Sequence, residues 1–392
     1  MPGIARHVQT LREHFKTLPP EHGNTTLTEE NAFIVLTAAF FEPLAQSHRC
    51  IEQLAKAKGV TEHLGGREVP KSTLSDAMAR FRIEHFRPLI KRLSDKLPAL
   101  SRADADLGEI TRQIIAGDGS MFRLAGEVAW AIQRVKNKAG SIDSQCRLDL
   151  LVDIRRWMIE DFAVSGGADG GEPAVMARML QPNVVYLFDR AYYPFAFLGQ
   201  ILAIGSDVVV RLKKDLVFRP QSTRELTPED VAAGVLSDQV GYLGVEHGCK
   251  GKAPDQLLRL VTVWDEKNQE EVRLLTSLMD VTAAAVGNLY RCRWVIELFL
   301  RWLKVTVGFK HLLSESANGI TLQFYVAMIC TMMIYLRTGL PASKYSLLAL
   351  GLAAQGRSSY EAQLPILLKR ERERFLERAR LARKKAAKNQ PG

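Results

Sequence analysis

A chain of 392 residues is long enough for two or three domains, each with its own core. A hydrophobic share of 47% and a charged share of 24% exclude a disordered chain, and a formal net charge of +10 favours polyanionic partners such as nucleic acid. Five scattered cysteines (Cys50, Cys146, Cys249, Cys292 and Cys330), never paired as Cys-x2-Cys, exclude a disulfide frame or a zinc site and point to reduced thiols.

Residues 1–107 read as a helical domain. Apolar residues recur at helical spacing through Ala32–Leu44, Ile51–Ala57 and Phe81–Leu100, and Thr28-Glu-Glu-Asn is a helix start signal. Met1–Pro20 carries no signal-peptide pattern. Cys50–Gly59 followed by Val69–Ala77 suggests two helices, the second capped by Ser72, as in helix-turn-helix DNA readers. In that reading Lys71, Ser72, Thr73, Ser75 and Arg80 face DNA; the competing reading is a capped helix of a small bundle, because Val60–Lys71 is long for such a turn.

From Thr111 the pattern changes to strands. Gln113–Asp118 is a short apolar strand ending in a carboxylate, Arg147–Ile154 alternates, and Trp157–Val164 can pair with it. A Gly-rich turn, Gly166–Gly171, leads into a helix over Glu172–Leu180, and Val184–Asp189 repeats the strand that ends in Asp. A helix over Tyr192–Ile204 and a strand over Asp207–Leu212 complete a mixed α/β sheet at 108–212. Residues 213–285 open with Lys213, Lys214 and Arg219 and contain strands Gln239–Val245, Leu257–Trp264 and Glu271–Thr276, a β-rich insertion. Core elements resume over 286–345, including an apolar helix at 321–337. Its apolar run Phe324–Leu336, about thirteen residues, is too short to span a bilayer, so a soluble cytoplasmic protein without membrane association is expected. The tail, 346–392, carries ten Lys or Arg against three Glu within Lys369–Lys388, a candidate arm for phosphates or a solvated charged face.

The stretch Tyr290–Lys304 concentrates chemistry. Read as one α-helix, it puts Tyr290, Arg293, Glu297 and Lys304 within an arc of about 60°, with Arg301 beside them and an apolar remainder. A buried helix seldom carries a carboxylate among cations unless they pair or do chemistry. If the strands ending in Asp118 and Asp189 are neighbours and this helix crosses them, three carboxylates converge, and a hard divalent cation resolves their repulsion.

These residues resemble those of DDE-class insertion-sequence transposases, in the family marked by Tyr-x2-Arg-x3-Glu-x6-Lys (insertion-sequence family four). Tyr290, Arg293, Glu297 and Lys304 match that spacing without a gap; Gly117–Ser120 is similar to the family's first-Asp strand and Phe188–Tyr193 to its second-Asp segment. The resemblance covers about residues 110–340. It implies an RNase H-like mixed-sheet catalytic core interrupted by a β-rich insertion and preceded by a helical DNA-binding domain. It implies Asp118, Asp189 and Glu297 as catalytic ligands of two Mg²⁺ ions, with Mn²⁺ able to substitute. Tyr290, Arg293 and Lys304 would contact DNA near the transposon end, with Trp294, Arg301, Lys213 and Lys214 as further contacts. The implied partners are double-stranded DNA, both transposon ends and target, and a second subunit in a homodimeric synaptic complex. The resemblance implies a prokaryotic protein, associated with the nucleoid when bound to DNA. Some relatives hold a flipped base on an insertion-domain tryptophan; Trp264 lies in that region, where a core role competes. Alternative functions are a catalytically silent DNA-binding derivative of a transposase and a stand-alone nuclease that cuts without joining.

Overall fold

The computed structural model describes residues 5–98 apart from 24 and 43, 107–135 apart from 126, 142–244, 254–306, 312–354, 357–359, 361–370, 372–373 and 377. Most of the basic tail 369–388 therefore lies outside the described residues, as does Cys249. The other four cysteines are free thiols. The chain divides into two compact units, one of residues 1–89 with 322–392 and one of residues 90–321.

The first unit is helical: α1 (Ala5–Phe15), α2 (Glu29–Phe40), α3 (His48–Ala55), the short α4 (Lys58–Thr61) and α5 (Lys71–Arg80), with α6 (Arg87–Lys96) beginning in it. Thr28 caps α2, its hydroxyl accepting the Asn31 N–H at 3.2 Å, as the start signal predicts. Its core is aromatic. Phe33 stacks on Phe86 with centroids 4.7 Å apart, and Phe15, Phe81 and Tyr325 surround the same ring. The Glu29 carboxylate ties the entry of α2 to the segment after α5, accepting from Arg82 Nε at 3.0 Å and lying 2.9 Å from His85 Nδ1.

α5 starts two residues earlier than a Ser72 cap requires. Pro70 stands at the cap position without a side-chain bond, because proline's fixed φ already suits a helix entry. Leu74 and Met78 turn inward, leaving Lys71, Ser72, Ser75 and Arg80 exposed. The linker between α3 and α5 is filled by α4 rather than left as an extended turn.

The second unit holds one sheet of ten strands: β1 (Gln113–Arg123), β2 (Ile132–Val135), β3 (Ile142–Asp153), β4 (Met158–Ser165), β5 (Val184–Phe188), β6 (Asp207–Arg211), β7 (Phe218–Thr223), β8 (Val235–Leu243), β9 (Leu258–Asp265) and β10 (Glu270–Thr276). The spatial order is β2-β3-β1-β5-β6-β10-β9-β8-β7, with β4 also paired to β3. β1 runs antiparallel to β3 and parallel to β5, and β5 runs parallel to β6. Helices α7 (Glu172–Met176), α8 (Phe195–Ala203) and α9 (Pro228–Ala232) lie between strands in the chain. Tyr186, Phe188, Tyr192, Phe195 and Leu198 are fully or almost fully buried in the main core with Met176 and Ile201.

The strands of 213–285 do not form a separate sheet. β10 pairs antiparallel with β6, so the buried strand Val208–Val210 gains a second neighbour and the sheet continues through β9, β8 and β7. Arg259, 1% exposed, anchors this region: it grips Asp238 through Nε (2.8 Å) and a terminal nitrogen (2.6 Å) and donates to the carbonyls of Leu278 and Val281. Those carbonyls immediately precede α10 (Ala283–Cys292). Its first turn is fixed from two sides: the Thr282 N–H and hydroxyl donate to Glu109 at 2.9 and 2.8 Å, and the Ala284 N–H donates to Asp230 at 2.7 Å. α11 (Trp294–Arg301) follows.

α12 (Ala317–Thr338) is longer than the apolar run expected from sequence, because Ala317, Asn318 and Gly319 extend it at its start. Its length and apolarity suffice for a membrane span, yet 83% of its most apolar window is buried inside the protein. α13 (Lys344–Ala354) follows it.

Candidate active site

β1 and β5 are buried in mid-sheet; β5 ends just before Asp189, whereas β1 does not end at Asp118 as the apolar run suggests but continues to Arg123, because β3 pairs with it along the whole length. Their parallel register runs from Gln113 opposite Val184 to Ala116 opposite Leu187. Asp118 and Asp189 both lie two residues past the last pair, at the same end of the sheet. Asp118 accepts the Gly119 N–H at 2.8 Å; Asp189 accepts the Ala191 N–H at 2.7 Å and caps the single turn Arg190–Tyr192. Burial raises the Asp118 carboxyl to about 6, with the Arg293 guanidinium opposing the rise and the Asp189 charge adding to it.

Two glycines make room here. A Cβ on Gly117 would fall 2.2 Å from Phe188 Cε1, and one on Gly119 would fall 3.0 Å from Glu172 Cδ and 3.2 Å from Arg147 Cδ. The missing side chains let Phe188 and Glu172 lie directly against the strand on either side of Asp118.

The single helix expected over Tyr290–Lys304 is three pieces. At Arg293 the backbone bonds tighten to three-residue spacing, Arg293 N–H to Tyr290 and Ile296 N–H to Arg293, both at 3.1 Å. After α11 the turn widens to a π-helix over Trp302–Thr306. Nor is the stretch buried all round, since Trp294 is 45% exposed. At the tightened turn Arg293 reaches two carboxylates. One terminal nitrogen donates to Glu297 Oε1 at 2.6 Å, the other lies 3.6 Å from Asp118 Oδ2, and the guanidinium carbon sits 5.8 Å from the centre of the Tyr290 ring.

Lys304 extends its ammonium over the Phe122 ring at 4.9 Å. Burial lowers the Lys304 pKa, and the Asp118 charge opposes that. Tyr290 is raised by burial, with Arg293 opposing. Tyr290, Arg293, Glu297 and Lys304 thus gather about Asp118, and Asp189 lies beside it. Glu297 meets Asp118 through Arg293. Among the described residues no three carboxylate, imidazole or thiol side chains are drawn together closely enough to hold a metal ion.

The remaining candidates lie farther out. Arg301 is exposed at the end of α11, and Lys267 stands 5.4 Å over the Trp294 ring. Lys213 lies 4.2 Å over the Tyr193 ring, while Lys214 pairs with Glu270 at 3.8 Å. Trp264 sits on β9, 37% exposed, opposite Glu271.

Sequence reasoning did not single out a second charged group beside Gly119. Asp149 pairs opposite Gly119 across β3 and is fully buried, accepting from Arg147 Nε at 2.7 Å and from the Ser165 hydroxyl at 2.6 Å. Arg147 also donates to the Gly170 carbonyl at 3.1 Å, and Glu172 begins the helix after that glycine turn. A signal was present: Arg-x-Asp inside an apolar strand puts both charges on one face.

Residues 109–333 match the family described as "Transposase DDE domain". Two curated relatives are similar over part of the chain. A "Probable transposase for insertion sequence element IS5377" of Geobacillus stearothermophilus is 23% identical over 158 residues, 40% of this chain and 40% of that protein. A "Putative transposase y4zB" of Sinorhizobium fredii is 27% identical over 151 residues, 38% of this chain and 41% of that protein. The chain thus spans about two fifths of the curated relatives it matches. A solved structure, the piggyBac transposase synaptic complex with hairpin DNA, aligns with TM-score 0.44 and 11% identity over 88% of this chain and 75% of that one.

Proposed function

Because the chain belongs to the Transposase DDE domain family, we propose that it is an insertion-sequence DNA transposase of the Tyr-x2-Arg-x3-Glu-x6-Lys group. It binds terminal inverted repeats, hydrolyses phosphodiester bonds at the transposon ends and joins the freed 3′-hydroxyls to target DNA, in cut-and-paste transposition. The observation that carries this reading is Arg293, whose guanidinium reaches both Asp118 and Glu297 beside the strand end that holds Asp189. In this proposal, 108–212 and 286–345 form an RNase H-like catalytic core, a reading supported by the strand order β3-β1-β5-β6 with its antiparallel and then parallel pairs. The helical residues 1–107 read the repeat, 213–285 are the insertion, and the tail 346–392 adds basic contacts.

The donors fit a hard divalent cation. Asp118 is desolvated next to a second carboxylate, an arrangement that favours positive charge between them. Asp118, Asp189 and Glu297 would hold Mg²⁺, or Mn²⁺ in its place, and two such ions supply Lewis acidity that activates an attacking hydroxyl and steadies the leaving oxygen. The protein's own part is to place DNA against these carboxylates. Arg293 and Lys304 offer positive charge beside Asp118 to a backbone phosphate, and Tyr290 offers a hydroxyl. Trp294, Arg301, Lys213 and Lys214 extend the contact along the duplex. Pairing two ends calls for a homodimer.

The test is cleavage and strand transfer on candidate end duplexes with Mg²⁺ and with EDTA. Asp118→Ala, Asp189→Ala and Glu297→Ala should each abolish both reactions while DNA binding is kept. Mg²⁺-dependent cleavage retained by any of the three would sink the assignment.

A further inference from the structure

Past Ala116 the strand β1 loses its parallel neighbour. The last β1–β5 pair is Ala116 with Leu187, and β5 ends at Phe188, whereas β1 runs on to Arg123 held by β3 alone. Two bonds at the ends of this ladder fix the direction of its backbone groups. The Ile154 N–H donates to the Ile114 carbonyl at 3.0 Å and the Leu124 N–H to the Ser144 carbonyl at 2.9 Å, with an unbroken register between them. Even-numbered residues of β1 therefore turn their N–H and C=O groups to β3, and odd-numbered residues turn theirs to the open edge. The Gly119 N–H fits this direction, since it bonds the Asp118 carboxylate at 2.8 Å. The next donor on that edge is the Met121 N–H, with no strand beside it among the described residues.

The side chains supply an independent observation. Alternation puts Asp118, Ser120 and Phe122 on one face of β1. Arg293 stands 3.6 Å from Asp118 and Lys304 lies 4.9 Å over the Phe122 ring, so cations mark both ends of that face. Ser120 sits between them, half-buried and opposite the fully buried Leu148. Among the described residues its hydroxyl has no hydrogen-bond partner, and Lys304 has no carboxylate within ion-pair distance. Arg293 differs, because Glu297 and Asp118 already engage it. A hydroxyl, a backbone N–H and an unpaired ammonium thus line the part of β1 that β5 leaves open.

We propose that Ser120, the Met121 N–H and Lys304 form a site for one backbone phosphate of the bound DNA strand, next to the phosphate that reacts at Asp118. This rests on the DNA-processing reading above and divides the strand's contacts within it. Ser120 is two residues beyond Asp118, about 7 Å along an extended strand, comparable with the separation of successive phosphates on one DNA strand. A phosphate set at Asp118 therefore has its neighbour beside Ser120. There the hydroxyl and the N–H donate to the phosphate oxygens, and Lys304 supplies the countercharge. Such a contact fixes the register of the strand on the carboxylates without reading its sequence.

The experiment is a fluorescence anisotropy titration of the full chain, in EDTA, with duplexes taken from the DNA that flanks the coding sequence. One duplex is unmodified; in the others a single phosphate is replaced by an uncharged methylphosphonate, position by position. Ser120→Ala should bind the unmodified duplex about tenfold more weakly, the loss expected for a hydrogen bond to a charged group. Ser120→Thr, which keeps the hydroxyl, should bind as wild type does. At one position the methylphosphonate should weaken wild type about tenfold and weaken Ser120→Ala and Lys304→Met no further. Should Ser120→Ala fail to fold, Ser120→Cys, close in shape but a weak donor, takes its place. Wild-type affinity in a folded Ser120 variant, or a scan whose penalties are the same in variant and wild type at every position, overturns the site and leaves the transposase reading standing. A wild type that binds none of the duplexes overturns both.

Discussion

Gly117 lies directly against Phe188: a Cβ on the glycine would fall 2.2 Å from the ring carbon Cε1. Each residue immediately precedes one of the two aspartates, Asp118 within β1 and Asp189 just past β5, so the contact sets how closely those carboxylates approach. Phe188 has no easy retreat, being stacked on Tyr186 at 5.7 Å and Tyr192 at 4.6 Å, with Phe197 edge-on at 5.1 Å. Gly117→Val should therefore cost about 1–3 kcal/mol of stability by overpacking and reduce cleavage beyond the loss expected from unfolding alone. Gly199→Ala is the control. Nothing lies within 4 Å of its added Cβ inside α8, so a gain of about 0.5–1 kcal/mol is expected. Urea unfolding read alongside cleavage checks both; a Gly117→Val protein of wild-type stability and activity would refute the argument.

Arg293 is the cation between Asp118 and Glu297. Arg293→Ala removes a charge-assisted bond worth about 1.5–3 kcal/mol, nearer the low end because Glu297 is 30% exposed. It also leaves two carboxylates without their shared countercharge. The variant should then be stabilised by Mn²⁺ more than wild type is, because an ion that binds the folded state adds stability by mass action. Thermal unfolding across a Mn²⁺ series measures this, and equal or smaller shifts in the variant would count against cation binding at these carboxylates.

The Arg259–Asp238 pair is a separate matter of stability. Both partners are almost wholly buried, at 1% and 3% exposure of their side chains. Arg259→Ala should cost about 3–5 kcal/mol, because it leaves the buried Asp238 charge with only the longer 3.9 Å contact to the exposed Arg224. It also frees the carbonyls of Leu278 and Val281 before α10. Arg259→Met with Asp238→Leu should recover most of that loss, since no buried charge then stays unpaired and Arg224, 41% exposed, is left to solvent. Chemical denaturation of the single and double variants decides; a double variant no better than Arg259→Ala would mean the carbonyl contacts, not the charge, carry the stability.

The strands that position the site were legible because they are buried on both faces: Ile114–Ala116 and Val184–Phe188 show up as unbroken apolar runs ended by Asp. β7 was not legible. It is an exposed edge strand, Phe218–Thr223, with Pro220 and no apolar alternation, so nothing distinguishes it from a loop until β8 pairs with it. The spacing Tyr290–Arg293–Glu297–Lys304 was readable, but the break of its helix was not. The shift from three-residue to five-residue bonding leaves no compositional mark, and it decides which carboxylates Arg293 reaches. The Arg147–Asp149–Glu172 group depends on β3 lying beside β1 in one register, which only the folded sheet establishes.

The outer basic residues make unequal predictions. Arg301 is exposed, and the Lys213 ammonium rests on the Tyr193 ring with no carboxylate paired to it among the described residues, whereas Lys214 already has Glu270 at 3.8 Å. A cation that meets a phosphate releases a counterion, so removing one such cation should reduce the slope of log affinity against log salt by about 0.9. Arg301→Ala and Lys213→Ala are each expected to reduce it by that amount on an end duplex. Lys214→Ala should reduce it less, because its charge is partly spent inside the protein. Fluorescence anisotropy titrations between low and moderate salt give the slopes. If Lys214→Ala proved the largest of the three, or if none altered the slope, the DNA path assigned to this surface would be wrong.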